Sequence, residues 1–323
     1  MFSSTSETKL DFTDIPLELV FQIFAWIHPT KVFTYRILSK QIKSILESPH
    51  FAILLLKLVE KSNTEVSTSP SFNSYRSVTN IEHVFLLSPP SFQVVYARHC
   101  LAQATAINWT SRFSTTNGHY VLPTGAFPLL GENLQQLRIT RLHGQIPPEI
   151  GLLFSLQNLN LDYNSNLAGE IPPEIGNLRN LVSLSLGSCG LSGKLPDEIG
   201  ELVKLQRLYI PNNKLCGPIP AAIGKLKMLQ HLYLGMNQFS GDIPKEIGQL
   251  KCLENLALHG NQLSGKIPDE IGDLGILYML NLSRNMLTGL VPLGIQECRN
   301  LRVCNLTNNA GLTCLFQMAV MQL

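Results

Sequence analysis

From Leu134 onward the apolar residues fall into a fixed frame: Leu-x-x-Leu-x-Leu-x-x-Asn, then Leu-x-Gly-x-Ile-Pro-x-x-Ile-Gly-x-Leu. The frame opens eight times, at Leu134, Leu156, Leu181, Leu205, Leu229, Leu253, Leu277 and Leu301, and the last five intervals are all 24 residues. Within each unit Leu-x-x-Leu-x-Leu ends in a period-two alternation, which predicts a short strand with its leucines inward. Such strands, stacked about 4.8 Å apart, form a parallel sheet lining a concave face. A single unit cannot bury its own apolar side, whereas stacked units share one continuous core, so the period predicts a solenoid.

The other fixed positions have structural tasks. The ninth-position asparagines (Asn164, Asn213, Asn237, Asn261, Asn285, Asn309) are expected to turn inward and satisfy backbone groups of neighbouring turns. Gly169, Gly193, Gly217, Gly241, Gly265 and Gly289 mark bends. The prolines of the Ile-Pro steps fix φ ahead of a helical turn. Glu149, Glu174, Glu198, Glu246 and Glu270 follow them, where a carboxylate complements a helical N-terminus.

This consensus is that of the leucine-rich repeat, and its Gly-x-Ile-Pro-x-x-Ile-Gly wording resembles the plant-type subclass. The resemblance covers residues 134–314, with the last unit partial, and 315–323 as a C-terminal tail. Residues 104–133 read as a degenerate capping repeat, because Ala104–Trp109 looks like a strand and Pro123 lies 147 − 123 = 24 residues before Pro147.

The chain ahead of the array has a different pattern. Asp14 and Pro16 open a helix running to about Ile27 that is apolar on two stripes, one with Leu17, Val20, Phe21, Phe24 and Ile27, the other with Leu19, Ile23 and Trp26. A helix apolar nearly all round needs cover on both sides. Two shorter helical stretches follow, over 31–39 and 41–47. Ile15-Pro16-Leu17-Glu18-Leu19, Ile23-Phe24, Ile27, Pro29 and the run Ser39-Lys40 through Ser48-Pro49-His50-Phe51 are similar to an F-box over residues 11–52. The resemblance implies a helical hook that docks on the Skp-family adaptor of a cullin-RING ubiquitin ligase. It places Pro16, Leu19, Ile23, Phe24, Ile27 and Pro29 at adaptor-facing or hook-shaping positions. This chain departs from the usual family pattern at Ile15 and Ile42, where leucine and tryptophan are common, and lacks a carboxylate soon after Pro29. Residues 53–103 read as a linker, rich in Ser, Thr and Asn over 61–80, followed by a helical cap from Phe92 to about Ala102. The expected fold is therefore an α/β solenoid: a leucine-rich-repeat horseshoe with a parallel concave sheet, preceded by a small all-α F-box-like module.

Composition narrows the function. Only 15% of the 323 residues are charged and the net charge is +2, which supplies no basic stripe for nucleic acid. No apolar run approaches the roughly 20 residues of a membrane helix. The first 31 residues carry Asp11, Asp14 and Glu18 in place of a secretion signal, so a cytoplasmic or nuclear address is expected. In a reducing compartment the seven cysteines read as thiols, with Cys189 in an asparagine position and Cys304 in an inward leucine position as small core fillers. No phosphate loop, metal spacing or nucleophile elbow is present, so the expectation is a non-enzymatic protein without metal or cofactor. The sequons at Asn108, Asn281 and Asn305 matter only to a secreted protein.

Function is expected in the positions the consensus leaves free, the third, fifth, seventh and eighth of each unit. These include Arg138, Asp162, Tyr163, Arg207, Tyr209, His231, Tyr233, His259 and Arg284, and none of the array's eight lysines. A face of few flexible charges with Arg207, Tyr209, His231 and Tyr233 on adjacent strands has the composition of a protein-binding surface. Among these named residues, Arg138, Arg207 and Arg284 against the one aspartate point to an acidic or phosphorylated target. With the F-box resemblance, the reading is a substrate receptor of an SCF-type ligase; the alternative is an intracellular scaffold or signalling regulator with no ligase link.

Overall fold

The computed structural model describes Val94 and residues 97–101, 103–109, 122, 124–315 and 321–322. The chain divides into two compact units, residues 1–74 with 79–101, and 75–78 with 102–323. The F-box-like residues and the Ser/Thr-rich stretch lie outside the described residues. Of the first unit, Val94 is helical and Ala97–Leu101 forms a π-helical turn.

In the second unit every repeat adds one layer. Its first strand joins a ten-stranded parallel sheet: β1 (Ala106–Trp109), β2 (Gln136–Ile139), β4 (Asn158–Asn160), β6 (Ser183–Ser185), β8 (Arg207–Tyr209), β10 (His231–Tyr233), β12 (Asn255–Ala257), β14 (Met279–Asn281), β16 (Val303–Asn305) and β18 (Met321–Gln322). Registers are those of the repeat, so Arg207 faces His231 and His231 faces Asn255. The strand Ala106–Trp109 pairs with β2 through Ala106↔Gln136 to Trp109↔Ile139. At the other end Met321 pairs with Cys304, so Met321–Gln322 form a further strand of the same sheet.

A second set of strands, not expected from the sequence, follows the first. It comprises β3 (His143–Gly144), β5 (Asn166–Gly169), β7 (Gly190–Gly193), β9 (Lys214–Gly217), β11 (Gln238–Asp242) and β13 (Gln262–Ser264), in one parallel sheet; β15 (Thr288–Leu290) and β17 (Gly311–Thr313) form a separate pair. The glycines read as bends lie within or just after these strands with φ between 68° and 84°, a region that a side chain resists. Five-residue 3-10 turns close each layer, from Pro148–Leu152 to Leu293–Glu297, each with the Ile-Pro or equivalent proline at its N-cap. Leu, Ile and Phe239 side chains, nearly all fully buried, fill the interior from Leu134 to Leu306.

The asparagines bind the layers to one another. Asn237 donates to the carbonyls of Ile210 (2.9 Å) and Leu234 (3.1 Å), and its Oδ1 accepts from the Leu215 amide (3.2 Å). Asn164, Asn213, Asn261, Asn285 and Asn309 repeat the arrangement. Cys189 interrupts it. Its thiol lies 3.2 Å from the Leu161 carbonyl, in the place of an asparagine amide, but it has no carbonyl to offer. The Leu167 amide, which would need that acceptor, turns to the Asn164 backbone carbonyl at 2.8 Å. Burial pushes the Cys189 thiol up to about 11 and the Cys304 thiol, which fills an inward leucine position, up to about 12.

Candidate functional site

The inward side of each strand is fixed by the core, so the open side carries what distinguishes one repeat from another. β8, β10 and β12 lie side by side and present Arg207, Tyr209, His231, Tyr233 and Asn255 on it. Tyr209 and Tyr233 meet edge to face, with ring centroids 5.7 Å apart and planes at 63°. The His231 ring stacks with Tyr233 at 6.2 Å and 24°. Pairs of this geometry contribute about 0.5–1.5 kcal/mol beyond their burial. Asn255 Nδ2 lies 2.8 Å from His231 Nδ1, a hydrogen bond in which the imidazole nitrogen accepts. Asn255 belongs to the site through that bond; in the sequence it was one polar residue among several at third positions.

His259 follows β12, in the seventh position. Its Nδ1 is buried and has no hydrogen-bond partner. Burial, and then the positive charge of Arg284, lowers the His259 pKa below the ordinary histidine value. Burial also lowers that of His231, reinforced by Arg207 and opposed by Glu254. Both shifts favour the neutral imidazole, and the fixed positive charge of this face comes from its arginines. The tyrosine hydroxyls are shifted upward, that of Tyr209 by burial and then by Tyr163, Asp162 and Tyr233, and that of Tyr233 by burial against the opposing Arg207. Tyrosine stays a neutral donor throughout the physiological range.

Asp162 forms a second centre two layers earlier. Its carboxylate accepts from the Gly187 amide at 2.6 Å and from Asn160 Nδ2 at 3.2 Å. Burial raises its pKa, while the Gly187 and Ser185 hydrogen bonds, the Arg138 charge and the Asn160 bond pull it down. The carboxylate is thus occupied by its own fold, which leaves the arginines without a carboxylate rival on the later strands. Tyr163 and Arg284 occupy the turn after their strands, with φ of 61° and 56°. Tyr163 is 72% exposed there. The sequence-predicted residues therefore fall into one row: Arg138, Asp162 and Tyr163 at one end, Arg207 to His259 in the middle, and Arg284 beside His259. Among the described residues no cluster of three or more His, Cys, Asp or Glu side chains is placed to hold a metal.

Comparison with known proteins agrees with this architecture. Residues 132–238 match the leucine-rich repeat region model, and 228–250 and 252–274 match the leucine rich repeat model. No curated protein matches the chain by sequence. Among solved structures, the plant peptide hormone receptor RGFR1 in complex with RGF2 is 42% identical over 60% of this chain and 31% of its own, with a TM-score of 0.56. The Arabidopsis receptor kinase HAESA, in complex with the peptide hormone IDA and the co-receptor SERK1, is 32% identical over 62% of this chain and 33% of its own, with a TM-score of 0.52. A leucine-rich-repeat protein of Leptospira interrogans is 30% identical over 82% of this chain and 59% of its own, with a TM-score of 0.54. The chain spans about a third of the length of the two plant receptor chains. Ladder, register and comparisons together make residues 134–309 a leucine-rich-repeat solenoid.

Proposed function

We propose that the solenoid is a non-enzymatic binding protein whose open sheet face, centred on β8, β10 and β12, holds an extended peptide or protein segment. The observation that carries this reading is the contiguous patch of Arg207, Tyr209, His231 and Tyr233. Its rings are already packed against one another, and Asn255 anchors His231. Tyrosine and arginine held in place before binding are the residues that dominate recognition energies, because little rotamer freedom remains to be lost. An acidic or phosphorylated target follows from Arg138, Arg207 and Arg284 facing a single, internally satisfied Asp162. The peptide-hormone complexes of two similar structures support a peptide as the ligand class.

The test is selection from a random-peptide library on the full chain. Enriched peptides should be rich in Asp and Glu and should be lost from selection on a Tyr209→Ala, Tyr233→Ala chain. Equal enrichment on both chains, or enrichment of lysine-rich peptides, contradicts the reading.

The ligase link is a finer proposal that rests on the F-box resemblance of residues 11–52 alone. It holds that Leu19 and Phe24 dock the Skp-family adaptor, so that the bound target becomes a ubiquitination substrate. Co-purification of adaptor with the wild-type chain, abolished by Leu19→Asp with Phe24→Asp, supports it. An adaptor that ignores the wild-type chain leaves the scaffold alternative.

A further inference from the structure

Gly187 and Gly235 occupy the seventh position of their repeats, where other units carry Asp162, Pro211, His259, Ser283 or Thr307. A Cβ built on Gly187 would stand 2.6 Å from Cε1 and 3.1 Å from Cδ1 of Tyr209, and 3.2 Å from Cδ of Pro211. One built on Gly235 would run into the His259 imidazole, with Nδ1 2.7 Å away. Both rings thus lie down in the space that a missing side chain leaves on the preceding layer. Neither glycine adopts a left-handed φ, so the backbone there would accept alanine. The rings are what require glycine.

The consequence is an aromatic floor drawn from three adjacent layers. Tyr209 rests on Gly187, Tyr233 meets it edge to face, His231 stacks on Tyr233, and His259 rests on Gly235. Arg207 borders this floor on β8, and Arg284 lies close enough to His259 to lower its pKa. From Arg207 to Asn308 no outward position of the frame carries a carboxylate. A flat ring is the side chain that such a floor packs best, and the bordering guanidinium groups complete their hydrogen bonds with a carboxylate. Resting on the peptide-binding reading above, we propose that Gly187 and Gly235 position Tyr209 and His259 as this floor and thereby select a segment with an aromatic side chain beside a carboxylate.

The test measures binding of three probes to the full chain: a random copolymer of glutamate and tyrosine, polyglutamate, and a copolymer of lysine and tyrosine. The wild-type chain should bind the Glu/Tyr copolymer about tenfold or more tightly than either control. Gly187→Ala and Gly235→Ala should each weaken it about tenfold and leave the melting temperature within about 2 °C of wild type, and Gly187→Ala should also shift the near-UV circular dichroism of the tyrosines. In a Tyr209→Ala background Gly187→Ala should have no further effect, because the ring it displaces is gone. Should Gly187→Ala melt early, Tyr209→Leu leaves the glycine untouched and must still erase the preference for Glu/Tyr over polyglutamate. A wild-type chain without that preference overturns the proposal. So do glycine variants that bind as wild type while Tyr209→Ala with Tyr233→Ala loses the probe, an outcome that leaves the peptide-binding reading standing. Full binding by the double tyrosine variant overturns both.

Discussion

Asn237 and Asn281 carry the same amide, and the fold uses them in opposite ways. Asn237 is buried and ties its own turn to the layer before it through the Ile210 carbonyl and the Leu215 amide. Asn281, on the open side of β14, keeps its carbonyl for Ser283 two residues away, whose amide and hydroxyl both donate to it. Asn305 does the same with Thr307. The inward amide is part of a structure that fails if one member is removed, because a buried backbone group left unpaired costs far more than a bond is worth on average. The outward amide satisfies only its neighbourhood. Selection for the fold therefore fixes one side of every strand and leaves the other free, and the free side is where Arg207, Tyr209, His231 and Tyr233 gather.

The largest effect should come from Asn237→Ala. It strips the Leu215 amide of its acceptor and takes one of two donors from each of the Ile210 and Leu234 carbonyls, and chemical denaturation should show a loss of roughly 2–3 kcal/mol. Asn281→Ala, the control on the open side, should stay within about 0.5 kcal/mol of wild type. Equal losses would erase the distinction between the two sides.

Next in size, Tyr209→Ala with Tyr233→Ala should lower the affinity for a selected peptide by about 2 kcal/mol or more. The same variant should lose only about 1 kcal/mol of stability, since both side chains are half-buried on the open side and their loss leaves the core intact. The reverse pattern would make the tyrosines part of the scaffold.

Cys189→Asn sharpens the inner side. Asparagine there should offer the Leu167 amide the side-chain acceptor used in the other layers, in place of its bond to the Asn164 carbonyl, and raise stability by about 0.5–1 kcal/mol. A loss would mean that the thiol packs too tightly for an amide.

The smallest effect is a pH dependence. His231 and His259 have lowered pKa values in the folded chain, so the unfolded chain binds more protons as pH falls below about 6.5. Their contribution to stability is intact above that pH and is lost as pH falls through the lowered folded values. Replacing both by Gln should flatten this part of the stability profile, whereas an unchanged slope would place the titration elsewhere.

The repeat period made the strands, the inward leucines and the asparagine ladder legible, since each follows from spacing and residue type. The second sheet was hidden because its strands are short and end in Gly169, Gly193 and Gly217, which in a sequence read only as bends. The left-handed turn at the eighth position was hidden by its variety: Tyr163, Ser188, Asn212, Met236 and Arg284 share no chemistry. What they share is an absence. No β-branched residue or proline stands at that position from Arg141 to Asn308, as a positive φ demands. Of the site, composition identified the arginines and aromatics, and strand alternation put them on one face. The Asn255–His231 bond and the bed that Gly187 makes for Tyr209 depend on how neighbouring layers stack, which no single repeat encodes.

The separation of the two sides is tested most directly by calorimetric titration of one library-selected peptide into the full wild-type chain and its Tyr209→Ala, Tyr233→Ala variant, with both melting curves recorded. Affinity should fall about thirtyfold or more while the melting temperature moves by no more than a few degrees, about the shift expected for 1 kcal/mol. Unchanged affinity in a folded variant would contradict the assignment of the site to this face.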